Sequence, residues 1–379
     1  MASEVPPGWK SQRFSDVLTI RRGHDLPKRS RAAGEIPVMG SSGRVGSHNE
    51  AKVTGPTFVL GRAANIGSVH WIDGPAWPLN TTLYPTDFHR NDPLYLFYLM
   101  KTIDFSIYDS GSVQPMLNRN YVAGHQLVLP PLDEQRAIAE ILGSLDAKAA
   151  HDKGTAQLLL RQVELEYEHL PRDTFPTATV GDVLNVAGGG TPSTKEPSYW
   201  NGDHNWLTPK DLSSSTRTTI VSTARKLTAT GIAKVSSGAL PPGTVVMSSR
   251  APIGLTGILA EPSAVNQGFI AFKPIEAACP GYVYAWVKTS IDAIKSRAGG
   301  STFAEISKRA LAQMPFPVPT GPAYEAFCRS SQDSLSLVER LESQVEASER
   351  ARGVLLPQLV TGKLRIRDVD RFLARAGPT

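Results

Sequence analysis

The sequence predicts an α+β fold in which two mixed α/β domains alternate with two long helices. Three observations support this: short motifs recur in the same order in the two halves, each half ends in a proline-marked segment, and a long helical pattern follows each. With 379 residues, 41% of them hydrophobic, the chain can form two or three domains with sizeable cores. The predicted boundaries are a first domain at 1–131, a central helix at 132–170, a second domain at 171–320, a C-terminal helix at 321–356 and a tail at 357–379.

The two domains share five short motifs in the same order, which indicates an internal duplication. FSDVLTIRRG at 14–23 matches VGDVLNVAGG at 180–189 through a common Asp-Val-Leu. The other matches align Arg62-Ala63 with Arg250-Ala251, Ile66-Gly67 with Ile253-Gly254, Asn80 with Asn266, and Gly111-Ser112 with Gly300-Ser301. One shared dipeptide is expected by chance, but an ordered series is not, so we predict that the two domains share one fold.

The central helix follows Pro130-Pro131 and is predicted from a heptad pattern. Eight of the ten a and d positions between residues 138 and 170 are apolar, as in a coiled-coil seam. Asp133 is the predicted N-cap residue, since acidic residues suit the first turn of a helix. A continuous helix here would measure about 57 Å at ~1.5 Å per residue, more than one turn of B-DNA at roughly 34 Å. The alternative is a helical hairpin inside one large domain.

The C-terminal helix carries a weaker stripe, in which seven of eleven positions at 3–4 spacing are apolar or aromatic. Pro357 is predicted to end or kink this helix, because proline removes a helical hydrogen bond. Each imperfect apolar seam can be buried best against the other seam, so we predict that the two helices pack together. The predicted seam consists of Ile138, Leu142, Leu145, Leu159, Val163, Val338, Leu341, Val345 and Leu355.

The composition gives no sign of export, membrane insertion or a metal site. The start, MASEVPPGWK, lacks the basic region and apolar core of a signal peptide, and no run of about 18 apolar residues predicts a transmembrane helix. Cys279 and Cys328 are isolated, so no disulfide framework is expected and a reducing, cytoplasmic setting is predicted. The eight histidines show no metal-ligand spacing.

Three strings come near a catalytic motif and none fits. NDPL at 91–94 differs from the Asn-Pro-Pro-aromatic motif of DNA methyltransferases and is predicted to be a turn into a helix. Asp25 with Glu50-Ala51-Lys52 is a loose match to a nuclease pattern that often arises by chance. GGGTPSTK at 188–195 lacks the spacing of a P-loop. We therefore expect no catalytic residue, metal or cofactor in this chain.

Charge is distributed unevenly along the chain. The first domain holds 13 Lys/Arg against 10 Asp/Glu, the central helix 4 against 8, and the second domain 14 against 9. Two basic regions separated by an acidic helix are typical of a protein that contacts a polyanion in two places. A soluble protein with a pI near 9.1 is the alternative interpretation.

Five strings resemble those of the specificity (S) subunit of Type I restriction-modification systems: LPPLDEQRAIAEILGSLD at 129–146, GGGTPSTKEPSYWNGDHNWLTPKDL at 188–212, SSRAPIGLTG at 248–257, VNQGF at 265–269 and LLPQLVTGKL at 355–364. The resemblance implies two pseudo-symmetric target-recognition domains separated by two long antiparallel coiled-coil helices. Each domain would read one half of a bipartite site in double-stranded DNA, and the helices would set the unread spacer. The first domain resembles a shorter variant, because RRGHDLPKRSRAAGEIPVMG lacks the long Thr-Pro-Ser opening.

The resemblance also implies protein partners. Two methyltransferase (modification) subunits would dock on the helices and carry S-adenosylmethionine, and restriction/translocase subunits would use ATP and Mg²⁺. The assembled complex would be an adenine-N6 DNA methyltransferase and ATP-dependent endonuclease of phage defence, while this chain would be non-catalytic. Alternatives are a coiled-coil scaffold, or a related phage-defence DNA-binding subunit that acts without Type I partners.

Sequence-specific DNA recognition needs polar side chains on rigid loops. Candidates in the first domain are Arg44, His48, Arg62, Asn65, Asn80, Gln114, Asn118 and Arg119. Candidates in the second domain are Thr191, Ser193, Lys195, Tyr199, Trp200, Asn205, Trp206, Lys210, Arg250, Asn266 and Gln267.

Each candidate has an alternative role. Trp200 and Trp206 are residue types found more often in cores, and the two asparagines Asn80 and Asn266 could instead bond backbone in turns. The alignment of Arg62 with Arg250 favours a phosphate-contacting or structural role, because the two domains are expected to read different sequences. The candidates that differ between the domains are better suited to reading bases, namely Lys195, Lys210, Arg44 and His48.

Overall fold

The computed structural model describes residues 5–109, 116–215, 217–275, 278–299 and 304–369. Gln114 and the Gly111-Ser112 and Gly300-Ser301 matches lie outside these residues. The chain divides into two compact units: unit 1 comprises 1–148 with 347–379, and unit 2 comprises 149–346. No helix in the described part of the chain is long and apolar enough to span a membrane.

The first half of the chain contains β1 (Lys10–Arg13), α1 (Phe14–Val17), β2 (Thr19–Arg22), β3 (Ile36–Gly40), β4 (Gly43–His48), β5 (Val53–Thr54), β6 (Thr57–Gly61), β7 (Val69–Ile72), β8 (Pro75–Pro78), β9 (Thr82–Asp87), α2 (Pro93–Met100), α3 (Arg119–Val122), β10 (Gln126–Leu129) and the central helix α4 (Leu132–His169).

The second half contains β11 (Thr177–Thr179), α5 (Val180–Val183), β12 (Asn185–Gly188), β13 (Trp200–Leu207), α6 (Pro209–Ser214), β14 (Thr219–Ile220), β15 (Lys226–Leu227), α7 (Ala229–Ile232), β16 (Val245–Ser248), β17 (Thr256–Leu259), β18 (Ser263–Val265), β19 (Phe269–Lys273), α8 (Pro280–Thr289), α9 (Ile291–Ser296), α10 (Lys308–Ala312), β20 (Pro315–Pro317) and the C-terminal helix α11 (Pro322–Val360).

Unit 1 is built on two four-stranded sheets, in the orders β2-β9-β6-β7 and β4-β3-β8-β5, with β1 paired to β10. β3 and β8 are parallel. Helix α2 begins where the Asp92 carboxylate accepts the backbone N–H of Tyr95 at 2.8 Å, with Pro93 in its first turn. The predicted turn at NDPL is therefore confirmed, and the buried α2 side chains join the main core of the unit.

Unit 2 repeats this framework with additions. Its sheets have the orders β12-β19-β16-β17-β14 and β15-β13-β18, with β11 paired to β20. β13 and β18 are parallel, like β3 and β8. Its main core is rich in aromatic residues, including Tyr282, Trp286 and Phe316, whose rings pack edge to face. The predicted fold class of two mixed α/β domains with long helices is confirmed.

Backbone hydrogen bonds fix which residues of the two units correspond. The N–H of Arg62 donates to the carbonyl of Thr81 at 2.9 Å, and the N–H of Ser249 donates to that of Gly268 at 2.8 Å. Arg62 therefore corresponds to Ser249, and the predicted equivalence of Arg62 with Arg250 was wrong. Matching identical letters shifted the alignment by one residue, whereas the register of a strand is set by its hydrogen bonds.

The same register corrects a second pair and confirms a third. Asn80 corresponds to Gln267, so its predicted equivalence with Asn266 was also wrong. The match of Ile66-Gly67 with Ile253-Gly254 is confirmed, because the N–H of the glycine donates to the last residue of the preceding strand at 3.0 Å in both units. These glycines have φ of 78° and 100°, a left-handed conformation that favours glycine.

In unit 1 the start of α4 packs antiparallel to the end of α11. Asp146 pairs with Arg352 at 3.3 Å. Glu134, in the first turn of α4, pairs with Arg365 just beyond α11 at 3.1 Å. In unit 2 the Ser330 hydroxyl donates to Glu166 at 3.1 Å, while Ala156, earlier in α4, lines one cavity with Val345, later in α11, so the two helices are antiparallel there as well. Each unit thus contains its own antiparallel helix pair.

The predicted seam residues lie in these helix pairs. Ile138 and Leu142 share a core with Leu355 in unit 1, and Val163 is fully buried in the main core of unit 2. The seam residues that are buried are Ile138, Leu142, Val163, Val338, Val345 and Leu355, and those that are half-buried are Leu145, Leu159 and Leu341.

Two expectations about residues of the C-terminal helix were wrong. Helix α11 does not end at Pro357 but continues to Val360, because Leu359 and Val360 are buried in the core of unit 1 and hold the last turn. The alternative, that Pro357 kinks the helix, stays a prediction. Cys279 and Cys328 are joined in a disulfide, with Cα atoms 6.1 Å apart. Residues 49 positions apart in sequence meet because the first turn of α8 packs on α11, which no local spacing shows.

Candidate nucleic-acid interface

Three arginines of unit 1 line one cavity of about 330 Å³. Arg22 ends β2, Arg62 directly follows β6, and Arg119 is the first residue of α3. Leu83 and Met116 are among the other lining residues. We call this cavity the arginine pocket. Three elements that are distant in sequence therefore direct cationic residues to a single concave surface.

Arg62 is held in a fixed position in this pocket. Its guanidinium donates to the carbonyl of Asn80 at 3.4 Å and to the sulfur of Met116 at 3.1 Å. Burial and the positive charge of Arg22 lower the pKa of the Arg62 guanidinium from its usual value. The group is therefore a partly desolvated cation whose hydrogen-bond partners carry no formal charge.

The candidate amides of unit 1 are engaged within the protein. Asn80 donates to the Asp25 carboxylate, and Asn65 donates to the hydroxyl of Ser42 at 2.8 Å. Asn118 caps α3 by accepting the N–H of Asn120 at 3.0 Å. These contacts fix local loops. The Asn80 side chain bonds a carboxylate and not the backbone group that the turn alternative expected.

Arg44 and His48 lie on β4 but differ in exposure. Arg44 is exposed and donates to Ser47 at 3.3 Å. His48 is only 6% exposed, its ring accepts the N–H of Ala32 at 3.0 Å, and it packs edge to face on Trp77. The structure therefore leaves Arg44 available to a ligand and gives His48 an internal packing role.

In unit 2 the structure separates core residues from exposed ones. Trp200 and Trp206 are 9% and 3% exposed, lie in one small core, and donate their indole N–H groups to backbone carbonyls at 3.0 Å. Asn205 is 6% exposed and donates to the carbonyl of Val221 at 3.2 Å. These three side chains are placed for packing, as in the core alternative for the tryptophans.

Exposed candidates surround that core. Lys195 and Lys210 are exposed, the latter on α6, whose N-terminus is fixed by a capping box between Thr208 and Asp211. The hydroxyl of Thr191 donates to the side chain of exposed Gln267. The other exposed or half-exposed candidates of unit 2 are Ser193, Tyr199, Arg250 and Asn266.

Two of these have intramolecular partners that limit their role. Arg250 forms a partly exposed ion pair with Glu305 at 3.8 Å, so a carboxylate lies beside its charge. Asn266 accepts the N–H of Gly268 at 2.8 Å, which is the turn alternative.

Sequence reasoning missed two arginines. Arg22 was overlooked because candidates were sought on loops and Arg22 ends strand β2, although the basic pair in FSDVLTIRRG was visible. Arg225 stacks on Trp200 with its guanidinium carbon 3.7 Å from the ring centroid, a cation–π contact that no local motif announces. Within the described ranges, no group of His, Cys, Asp and Glu could hold a metal ion.

Comparisons with known proteins agree with this architecture. A family profile described as the Type I restriction modification DNA specificity domain matches residues 6–160 and 173–323. The Type I restriction enzyme MjaIX specificity subunit of Methanocaldococcus jannaschii is 33% identical over 189 residues, which cover 49% of this chain and 44% of that protein. The EcoR124I/EcoR124II specificity subunit of Escherichia coli is 25% identical over 242 residues, which cover 59% of each chain.

These matches span about half the length of the two curated relatives. The crystal structure of the Type-I restriction-modification system S subunit from M. genitalium has the same fold, with a TM-score of 0.63, 14% sequence identity, and coverage of 95% of this chain and 97% of that chain. The profile matches twice, once in each half, as the internal duplication requires. The chain therefore belongs to the family of Type I restriction-modification DNA specificity domains.

Proposed function

We propose that this chain is the sequence-specific DNA-recognition subunit of a Type I restriction-modification complex. One observation carries the proposal: the two units share a backbone framework, but their polar surfaces differ at corresponding positions. The arginine pocket of unit 1 has Arg22 and Arg62 where unit 2 has Gly188 and Ser249. Equal frameworks with different side chains suit two modules that read two different half-sites of one bipartite site.

The paired helices would then set the unread spacer and dock two methyltransferase (modification) subunits. Restriction/translocase subunits would complete the complex in the cytoplasm. In this proposal S-adenosylmethionine, ATP and Mg²⁺ bind to the partner subunits, and this chain is non-catalytic. The acidic excess of the central helix supports a protein-docking role for the helices, because an acidic surface is poorly suited to contact DNA directly.

The experiment is to co-express the chain with its methyltransferase subunit and map methylated adenines by single-molecule sequencing. The expected result is one bipartite motif with a fixed unread spacer. Binding of DNA that contains this motif should weaken as salt concentration rises, because phosphate contacts release counterions. Methylation at an uninterrupted motif, or binding that ignores sequence and salt, would show that the chain does not have this function.

A further inference from the structure

The arginine pocket lacks an internal counter-charge strong enough to neutralise it. Among the described residues, no carboxylate pairs with Arg62 or Arg119. Arg22 lies 3.7 Å from Asp25, but both side chains are more than half exposed, so this ion pair is weak. The pocket therefore presents an excess of positive charge to whatever enters it.

In the described part of unit 2, other side chains stand at the positions of the pocket arginines. The β2–β9 and β12–β19 registers put Gly188 where unit 1 has Arg22. The side chain of Lys308 lies over Gly188, 3.2 Å from the position that a Cβ would take. The residue that corresponds to Met116 is Glu305, which places a carboxylate beside Arg250 in a partly exposed ion pair. The arginine pocket is thus a property of the side chains of unit 1 and not of the shared framework.

We propose that the arginine pocket binds one phosphodiester group of DNA held by unit 1. This inference rests on the proposed function and assigns a particular part of the DNA to a particular cavity. Guanidinium groups match the oxygens of a phosphate with paired N–H donors, and an anion relieves the mutual repulsion of Arg22 and Arg62. Reading a base edge uses one arginine on one guanine, whereas three guanidinium groups around one cavity are better suited to the several oxygens of one anion.

The test replaces the three arginines by the residues or charge found in unit 2, as Arg22→Gly, Arg62→Ser and Arg119→Lys in one chain. The complex with the methyltransferase subunit is titrated with cognate DNA at several salt concentrations. Because one phosphate contributes about 0.9 to the slope of log K against log salt, the triple variant should lose roughly one unit of slope. Arg13→Ser, an exposed arginine on β1 outside the pocket, should keep the native slope.

A second measurement locates the phosphate. Single methylphosphonates, which lack the negative charge, are placed in turn along the first half-site. One position should weaken binding by the native complex and have no further effect on the triple variant. Thermal unfolding of the variant is measured in parallel, and Arg62→Lys replaces the triple change if that chain fails to fold. Arg62→Lys keeps the charge but not the paired donors, and should weaken binding at the same position.

Three outcomes would overturn this assignment. A variant with native salt slope would show that the pocket does not contact DNA. A changed methylation motif in the first half-site would show that the arginines read a base. Calorimetric binding of inorganic phosphate that the triple variant loses, with DNA binding unchanged, would assign the pocket to a free phosphate. Failure of the native complex to bind DNA at all would instead reject the proposed function.

Discussion

Lys210 is an exposed cation on α6, and the capping box of that helix holds its backbone in place. A charge on a rigid support loses little entropy when it meets a base or phosphate. We predict that Lys210→Ala weakens cognate DNA binding and methylation by the assembled complex, by about 1–3 kcal/mol if it contacts a base. Gel-shift titration and methylation sequencing measure both effects.

The control is Lys288→Ala, which removes the same charge from the exposed surface of α8. This variant should bind DNA like the native chain. If Lys210→Ala leaves affinity and methylation pattern unchanged, Lys210 is not part of the interface.

Glu342 of α11 holds the edge of the large sheet of unit 2. Its carboxylate is 5% exposed, accepts the backbone N–H groups of Thr218 and Thr219 at 2.6 and 3.0 Å, and lies 3.7 Å from the buried guanidinium of Arg217. Because Glu342→Ala leaves two backbone amides and the Thr219 hydroxyl without their acceptor, while Arg217 keeps its ion pair with Glu346, it should lower the free energy of unfolding by about 3 kcal/mol. Denaturant unfolding followed by circular dichroism provides the measurement.

Glu346 offers a matched comparison on the same helix. It also pairs with Arg217, at 2.9 Å, but its side chain is 41% exposed. Glu346→Ala should therefore cost about 1 kcal/mol or less. Equal destabilisation by the two substitutions would contradict the role given to Glu342.

At the scale of secondary-structure elements, the two long helices are the part of the chain proposed to set the length of the unread DNA spacer. Unit 1 takes one segment of each helix and unit 2 takes the other, with unit boundaries at Lys148/Ala149 and Glu346/Ala347. A heptad preserves the apolar seam, because seven residues return to the same helix face. An insertion of this length in one helix alone would leave its partner short.

We predict that a heptad inserted between Ala149 and Ala156, with a matching heptad next to Glu346, lengthens the unread spacer by about 3 base pairs. Seven helical residues add about 10 Å, and DNA rises ~3.4 Å per base pair. Methylation sequencing of DNA from cells that express the complex reads out the spacer. An insertion in α4 alone should abolish assembly, and an unchanged spacer with full activity would exclude the helices from this role.

At the scale of the whole molecule, the duplication and the two helices could be predicted because they depend on motif order and on heptad spacing. Helix α4 begins directly after Pro130-Pro131 as expected, but it already includes Leu132, so Asp133 lies in the first turn and is not the predicted N-cap. The register between the units could not be predicted, because five weak matches tolerate a shift of one residue while hydrogen bonds between strands do not. Because of that shift of one residue, Arg62 was aligned with Arg250, whereas its true counterpart is Ser249.

Individual site residues were harder to predict than the fold. Sequence alone could not tell that His48 and Asn205 are buried or that Arg22 meets Arg62 and Arg119, since each fact depends on contacts between distant strands. The disulfide between Cys279 and Cys328 belongs to the same class. Polar residues on loops stay candidates for DNA contact, and tertiary packing decides which of them face outward.

Unit 1 contains both the N-terminal strand and the segment after α11, and the two are tied together. The guanidinium of Arg365 donates to the carbonyl of Pro7 at 3.2 Å and to the carboxylate of Glu134 at 3.1 Å. A short linker could therefore join residue 369 to residue 5 within this unit. The order of segments along the chain is then a matter of where the chain is opened, and not a requirement of the fold.

A circular permutant follows from this. With that linker in place and new ends opened between His169 and Thr177, where α4 gives way to β11, every strand pairing and both helix pairs keep their partners. We expect the permuted chain to direct methylation to the native motif, as read by sequencing of the modified DNA. A gene that encodes the second domain before the first would then specify the same protein–DNA complex, and loss of folding on permutation would show that the order of synthesis matters.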